Sequence, residues 1–134
     1  MLQRRMNRVQ GIILPILRAE LPDVMFTSSI PDVDDREYPL VNIRRLGGVP
    51  VWMDRLDRVT VEIIAVSAES PIASEELYMD VRQVIWDAKD RQVTNDKGYI
   101  HSFRETVGPT AVSAPFPDTW MFQGLIQLGV RPPR

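Results

Sequence analysis

Cysteine is absent from this sequence of 134 residues, which also contains few lysines and a single histidine. The absence of cysteine excludes disulfide bridges, thiolate zinc sites and cysteine nucleophiles, and it fits a protein made in a reducing cytoplasm. No apolar run approaches the length of about 18 residues that a transmembrane helix needs, so the sequence predicts no membrane contact. Residues 1–21 carry arginines before an apolar stretch, but further charges interrupt that stretch, which favours an amphipathic helix over a secretion signal.

Charge is close to balance, since 16 basic and 18 acidic side chains leave a net charge of −2. This balance disfavours wrapping around nucleic acid, because that mode of binding releases counterions through many basic contacts. All basic residues except Lys89 and Lys97 are arginines. Arginine suits protein–protein interfaces because its planar guanidinium binds carboxylates through two hydrogen bonds, although codon bias in a GC-rich genome would give the same composition.

The longest nearly continuous apolar run, residues 58–68, predicts the strand around which the fold is built. β-Branched residues are frequent in it, and apolar residues recur at every second position, as on the buried face of a strand. The opposite face begins with Thr60 and Glu62 and becomes apolar at Ile64 and Val66. This pattern is typical of a strand at the centre of a sheet on which other elements pack.

Two stretches have the three- and four-residue spacing of apolar side chains that predicts amphipathic helices, residues 4–21 and 71–89. Pro15 lies inside the first stretch and predicts a kink or a second helical segment there, because proline removes a backbone donor. Ser70 or Ser74 is suited to cap the start of the second helix.

Shorter apolar stretches predict further strands over residues 24–29, 40–46, 99–105 and 120–130. Gly47 and Gly48 predict a tight turn after the second of these strands. Residues 49–57 then predict a long connection, and residues 107–119, with a glycine and several prolines, predict an irregular loop.

The predicted elements follow the order α-β-β-β-α-β-β, which one domain over residues 1–134 accommodates. We expect an α+β fold in which a single mixed or antiparallel sheet has two helices packed on one face. The expected core residues are Val61, Ile63, Leu77, Val81, Phe122 and Ile126.

Few side chains in the sequence are suited to catalysis or metal binding. His101 lies within a predicted strand without a serine or cysteine motif, which favours a structural or surface role over a catalytic one. A cluster of carboxylates occupies a predicted loop, but it lacks the glycine and the distant glutamate of a calcium-binding loop. A solvated acidic loop is favoured over a metal site, and contact with a neighbouring subunit is a third possibility for Asp32, Asp34, Asp35 and Glu37.

The sequence therefore predicts no catalytic, cofactor-binding or metal-binding residues, which favours a structural or interaction protein over an enzyme. Trp52 is the best candidate for contact with a partner, with local packing as the alternative. From position in the predicted connection and from residue type, the expected interface residues are Trp52, Met53, Asp54, Arg55, Arg44 and Arg45.

Five stretches that together extend over nearly the whole chain carry a resemblance to a known family. The stretches are YPLVNIRRLGG (38–48), DRVTVEIIAVS (57–67), ASEELYMDVRQVI (73–85), GYIHSFRETVGPTAVSAP (98–115) and FQGLIQLGVRP (122–132). In element order and in these local strings, rather than in a catalytic signature, the chain resembles the tail-terminator proteins of long-tailed phages, especially those that infect actinobacteria.

The resemblance implies a structural virion protein without a cofactor, assembled in the host cytoplasm into a homohexameric ring in the neck of a siphophage. Such a ring caps the tail tube, ends its polymerisation and joins the tail to the head. The implied partners are other copies of the chain, the major tail tube protein and the head–tail connector or head-completion protein. Genome DNA passes through the lumen without sequence-specific binding. The alternatives are a head-completion or neck connector subunit and, less favoured, a small non-viral enzyme or binding module.

Overall fold

The computed structural model describes residues 5–134, and this part of the chain contains two α-helices and six β-strands. Their order follows the predicted α-β-β-β-α-β-β, with one additional two-residue strand after the second helix. In chain order the elements are α1 (Val9–Glu20), β1 (Met25–Thr27), a 3-10 helical turn (Val33–Asp35), β2 (Leu40–Trp52), β3 (Leu56–Ser67), α2 (Pro71–Asp90), β4 (Thr94–Asn95), β5 (Gly98–Val112) and β6 (Trp120–Arg131).

All six strands belong to one sheet in the order β1-β2-β3-β6-β5-β4, and β3 lies near its centre as predicted. The sheet is mixed, because β1 pairs with β2 in parallel while the other neighbouring strands are antiparallel. Both helices pack on one face of this sheet and contact each other. The predicted α+β class, a single sheet with two helices on one face, is confirmed.

The core lies between the helices and the sheet face that carries the alternating residues Val59, Val61, Ile63 and Ala65 of β3. All four are inaccessible to solvent, so the two-residue period correctly identified the buried face. The remaining expected core residues come from α2 and β6. Leu77, Val81 and Ile126 are buried, and Phe122 is partly buried against the same core.

Helix α1 begins at Val9, later than predicted, and it continues through Pro15 to Glu20 as one helix. Of the two alternatives predicted at Pro15, a second helical segment is therefore wrong, and a kink stays a prediction. The side chain of Pro15 faces solvent, whereas Ile12, Ile13 and Leu17 are buried against the sheet. This packing offsets the missing backbone hydrogen bond, which costs about 3 kcal/mol in a helix interior. Residues 1–4, including the start of the predicted helix, lie outside the described part of the chain. Neither described helix is long and apolar enough to cross a membrane.

Helix α2 starts where the capping signals indicate, and Ser70 is the cap. The Ser70 hydroxyl accepts a hydrogen bond of 3.0 Å from the backbone N–H of Ala73, and Pro71 occupies the first helical turn. Ser74, the alternative cap, is buried and instead donates from its hydroxyl to the Ala65 carbonyl oxygen at 2.8 Å. The hydroxyl of Ser74 therefore fixes the first turn of α2 to the central strand.

Tyr78 of α2 lies over β6 at Gly124, where the absence of a side chain makes room for the phenol ring. A Cβ atom added to Gly124 would meet the Tyr78 hydroxyl, so the fit depends on glycine. The Tyr78 hydroxyl donates to Glu105 Oε2 of β5 at 3.2 Å, and Arg82 Nη1 lies 2.9 Å from Glu105 Oε1. Burial, followed by the charge of Glu105, raises the pKa of the Tyr78 phenol far above its usual value.

Strand β5 extends to Val112, so the prediction of an irregular loop from residue 107 was wrong for its first half. Shifts of register with β6 between Glu105 and Val107, and between Val107 and Thr110, accommodate Gly108 and Pro109 within the strand. Strand β4 pairs with β5 only at Tyr99 and Gly98. The missing N–H of Pro109 is tolerated because that part of β5 has no strand on its other side in the described residues.

Candidate functional site

Strands β2 and β3 form a hairpin that extends past the position predicted for a strand break. Val49 pairs with Arg58, and Trp52 pairs with Leu56. Only residues 53–55 form the turn, which is closed by a hydrogen bond of 2.8 Å from the Arg55 N–H to the Trp52 carbonyl oxygen. The predicted long connection over residues 49–57 was therefore wrong. We call residues 49–58 the hairpin tip.

The glycine pair lies inside β2 as part of a bulge and does not form the predicted tight turn. The register with β3 shifts between Arg45 and Gly47, and both glycines have positive φ angles of 119° and 105°. A Cβ atom on Gly48 would lie within 2.8 Å of the Val59 Cα and closer still to the Arg58 carbonyl oxygen. Glycine is therefore required for the two strands to approach each other beneath the tip.

The hairpin tip exposes apolar side chains to solvent. The exposed fraction is 57% for Trp52 and 71% for Met53, and Val49 and Val51 are also exposed. The Arg55 guanidinium carbon lies 5.1 Å from the centre of the Trp52 ring, a distance that allows a cation–π contact. Contiguous exposed apolar side chains with charged neighbours mark interaction surfaces in soluble proteins.

Arg45 holds the base of the hairpin tip. Its Nη1 and Nη2 atoms contact the two Asp57 carboxylate oxygens at 3.0 and 3.4 Å, and its Nε donates to the Gly47 carbonyl oxygen at 3.0 Å. Asp57 is buried, so its carboxylate loses its hydrogen bonds to water on folding. The bidentate contact with Arg45 replaces those hydrogen bonds. Arg45 therefore fixes the bulge and the strand pairing within the chain.

Arg44 lies on the other face of the sheet, away from the helices. Its Nη2 lies 3.0 Å from Glu62 Oε1 and forms an ion pair with it. The geometry of this contact is not that of a hydrogen bond, so Glu62 Oε1 has no hydrogen-bond partner among the described residues. Gln123 of β6 donates from Nε2 to Glu62 Oε2. Glu62 is buried and Arg44 is largely exposed. Arg44, Glu62 and Gln123 together link β2, β3 and β6 on this face.

The six residues predicted to form an interface are thus divided among three places. Trp52, Met53, Asp54 and Arg55 lie together at the hairpin tip, whereas Arg45 is below it on the helix side and Arg44 is on the opposite face. Their contact with a partner remains a prediction.

A second surface, at the other end of β3, was not identified from the sequence. It is a groove with a volume of about 310 Å³. Its apolar lining includes Val24, Pro39, Ala73 and Leu77. The exposed carboxylates of Glu69, Glu76 and Asp80 also line it, and we call it the acidic groove. It was missed because the loop after α1, the start of β2 and the first turns of α2 meet only in the fold. The four-residue spacing of Glu76 and Asp80 was the one available signal.

The groups considered for chemistry remain separate. His101 is exposed on β5. In residues 5–134, no three or more histidine, cysteine, aspartate or glutamate side chains form a group that could hold a metal ion. The acidic loop forms a 3-10 turn over Val33–Asp35. Arg36 follows this turn, donates from Nε to the Pro31 carbonyl oxygen at 2.8 Å, and places its guanidinium 4.0 Å from the centre of the Phe116 ring.

Comparison with known proteins identifies the family. A family model described as "Phage tail termination protein" matches residues 5–134. The chain is 42% identical over 134 residues to the Gene 22 protein of Mycobacterium phage L5, with 97% of this chain and 96% of that protein covered. It is 41% identical over 133 residues to the Gene 22 protein of Mycobacterium phage D29, with 96% of each chain covered. The chain therefore belongs to the phage tail termination protein family and is a structural tail protein of a phage virion.

Proposed function

We propose that the protein forms a homohexameric ring that caps the end of the tail tube and stops the addition of tube subunits. The same ring joins the tail to the head connector in the neck of a siphophage virion. Residues 1–134 act as one domain in this assembly, and the subunits are made in the host cytoplasm. The capping role requires binding and no catalytic step.

The observation that carries this proposal is the hairpin tip, where Trp52, Met53, Val49 and Val51 are exposed in the single chain. An apolar patch of this kind lowers its free energy when a protein surface covers it. A ring forms when each subunit contacts the next through two different surfaces and the rotation closes. The family, the exposed tip and a second surface at the opposite end of β3 are consistent with that arrangement.

Genome DNA would pass through the lumen of the ring without being read. The net charge of −2 supports this, because tight binding to the phosphate backbone depends on many basic contacts. Weak attraction to DNA suits a passage through which the genome has to move freely.

The test is electron microscopy of particles from a phage that lacks this gene. We expect tails of uneven and excessive length with few joined heads, and restoration of uniform joined tails when the wild-type protein is supplied. Tails of normal length in the deletion phage would contradict the capping role. A reconstruction of the wild-type virion should show the protein as a closed six-fold ring, and an open helix or a different symmetry would contradict the proposed assembly.

A further inference from the structure

The hairpin tip and the acidic groove lie at opposite ends of the central strand. The tip contains the start of β3 at Leu56, and the groove includes Ser67, its last residue, with Ala68 and Glu69 beyond it. At about 3.3 Å per residue, the two surfaces are roughly 35 Å apart. Two surfaces at opposite ends of a subunit can meet in successive copies, but they cannot meet within one chain.

The groove has the size and lining to receive an aromatic side chain. Its volume is about 310 Å³, whereas a cavity of about 150 Å³ holds a benzene molecule. The buried side chain of Leu77 and the partly buried Ala73 and Val24 give it an apolar lining. An indole ring that is exposed on the tip would lose contact with water in such a groove.

The charges of the two surfaces are complementary. Glu69, Glu76 and Asp80 contribute three carboxylates to the groove, and no lysine or arginine lines it among the described residues. At the tip, Arg55 lies beside the Trp52 ring. Arg58 lies two residues from Leu56, the strand partner of Trp52, and therefore on the same face of the hairpin.

Two acidic residues of the tip reduce this positive charge only in part. Asp57 is buried and already paired with Arg45, which leaves Asp54 as the one exposed carboxylate against two exposed arginines. Groups of opposite charge around an apolar anchor orient the partners and exclude wrong pairings.

We propose that Trp52 and Met53 of one subunit insert into the acidic groove of the next copy of this chain, with Arg55 and Arg58 facing its carboxylates. This inference rests on the proposed ring and names the contact that closes it. The partner is a second copy because this chain carries both complementary surfaces, and their placement at opposite ends leaves each subunit free to bind one neighbour on each side.

The first test replaces Met53 with the photo-cross-linking residue benzoylphenylalanine in tails assembled in infected cells, followed by peptide mass spectrometry. We expect adducts on residues 67–80 of a second copy, and a ladder of linked subunits after irradiation. The control position is Val33, which is 70% exposed on the acidic loop and should give no adduct on residues 67–80. Adducts on the tube protein, on the connector protein or on a second hairpin tip would overturn the proposed contact. Tails that contain the protein but give no adduct would also overturn it.

The second test exchanges charges across the contact. We expect Arg55→Glu alone, and Glu76→Arg alone, to lower the number of uniform joined tails about tenfold. An effect of this size corresponds to the loss of one charged pair from the contact. The combination of both substitutions should restore the uniform joined tails. Arg91→Glu, an exposed arginine after α2, is the matched control and should leave tails unchanged. Folded single variants that build normal tails, or a folded combination that restores nothing, would overturn the contact.

The two proposals fail in different ways. If the deletion phage makes tails of normal length, the capping function is wrong regardless of any cross-link. If the deletion phage makes long tails but the Met53 adducts lie outside residues 67–80 of a second copy, capping stands and only this contact is wrong.

Discussion

At the scale of single residues, the pairing of Tyr78 with Gly124 decides how closely α2 approaches the sheet. The tyrosine is inaccessible to solvent, and its hydroxyl occupies the space that a side chain at Gly124 would need. The hydroxyl is also hydrogen-bonded to Glu105. A polar atom this deep in the core is tolerated because it has a partner, and the geometry leaves little freedom for substitution.

Gly124→Ala should destabilise the protein by about 1–3 kcal/mol, because the added methyl group forces Tyr78 and the helix away from β6. The measurement is the midpoint of thermal unfolding. Gly108→Ala is the control, since its added methyl group would meet only the Glu105 carboxylate at 3.3 Å, and a shift of a few tenths of an ångström accommodates it. An unchanged midpoint for Gly124→Ala would show that the helix does not pack at this point as described.

The raised pKa of Tyr78 gives a prediction with a defined sign. Above about pH 10 an unfolded tyrosine loses its proton. The buried Tyr78 keeps its proton there, because burial and then Glu105 oppose the phenolate. The native state then binds more protons than the unfolded state, so stability falls as the pH rises, with a slope of up to about 1.4 kcal/mol per pH unit. Urea unfolding from pH 9 to 11 should show a steeper loss for the wild type than for Tyr78→Phe, and equal slopes would contradict this assignment.

At the scale of elements, local sequence patterns correctly predicted the elements that pack on the core. They did not predict how far a strand extends where its length depends on pairing with a neighbouring strand. Strand β3 and helix α2 were predicted correctly because their apolar periods report burial directly. The extents of β2 and β5 were underestimated, since Gly47, Gly48 and Pro109 are breakers in isolation. In the fold these residues lie in bulges or on an unpaired edge, and only the neighbouring strand reveals that.

The candidate site was likewise predictable from the sequence only in part. Exposed Trp52 and Met53 could be selected because aromatic and sulfur side chains beside charges are typical of interfaces. The use of Arg45 within the chain could not be predicted, because its pairing with Asp57 depends on the register of the hairpin. The acidic groove combines three separated segments, so no single window of sequence contains it.

The packing of β6 against the helices predicts that truncating a buried side chain of this strand destabilises the fold. Ile126 is inaccessible to solvent and pairs with Val61 across the sheet centre. Ile126→Ala should lower the free energy of unfolding by about 2–4 kcal/mol, through lost apolar burial and the cavity that remains. Ile72→Ala, at a position on α2 that is 70% exposed, should change it little. Similar midpoints for the two variants in chemical denaturation would contradict the placement of β6 in the core.

At the scale of the whole molecule, stability and assembly rely on different parts of the chain. The core lies between the sheet and the helices, and the tip projects from the base formed by Arg45 and Asp57. Substitutions at the exposed end of the tip therefore remove few contacts within the subunit. Assembly can then be altered without unfolding the monomer, which makes the tip suitable for a genetic test.

Trp52→Ala combined with Arg55→Glu should weaken capping while leaving the monomer folded, with a thermal midpoint close to that of the wild type. The substitutions remove the apolar anchor and reverse the charge beside it, and truncation of such an anchor commonly costs about 2 kcal/mol or more of binding free energy. Because each ring repeats the contact at every interface, the loss should be amplified in the assembled cap. In a complementation assay viewed by electron microscopy, we expect tails of uneven and excessive length and few joined heads. Val33→Ala with Arg91→Glu, which truncates one exposed apolar side chain and reverses the charge of one exposed arginine away from the tip, should behave as wild type. Normal tails and infectivity from the folded tip variant would remove the hairpin tip from the capping mechanism and leave the family membership unaffected.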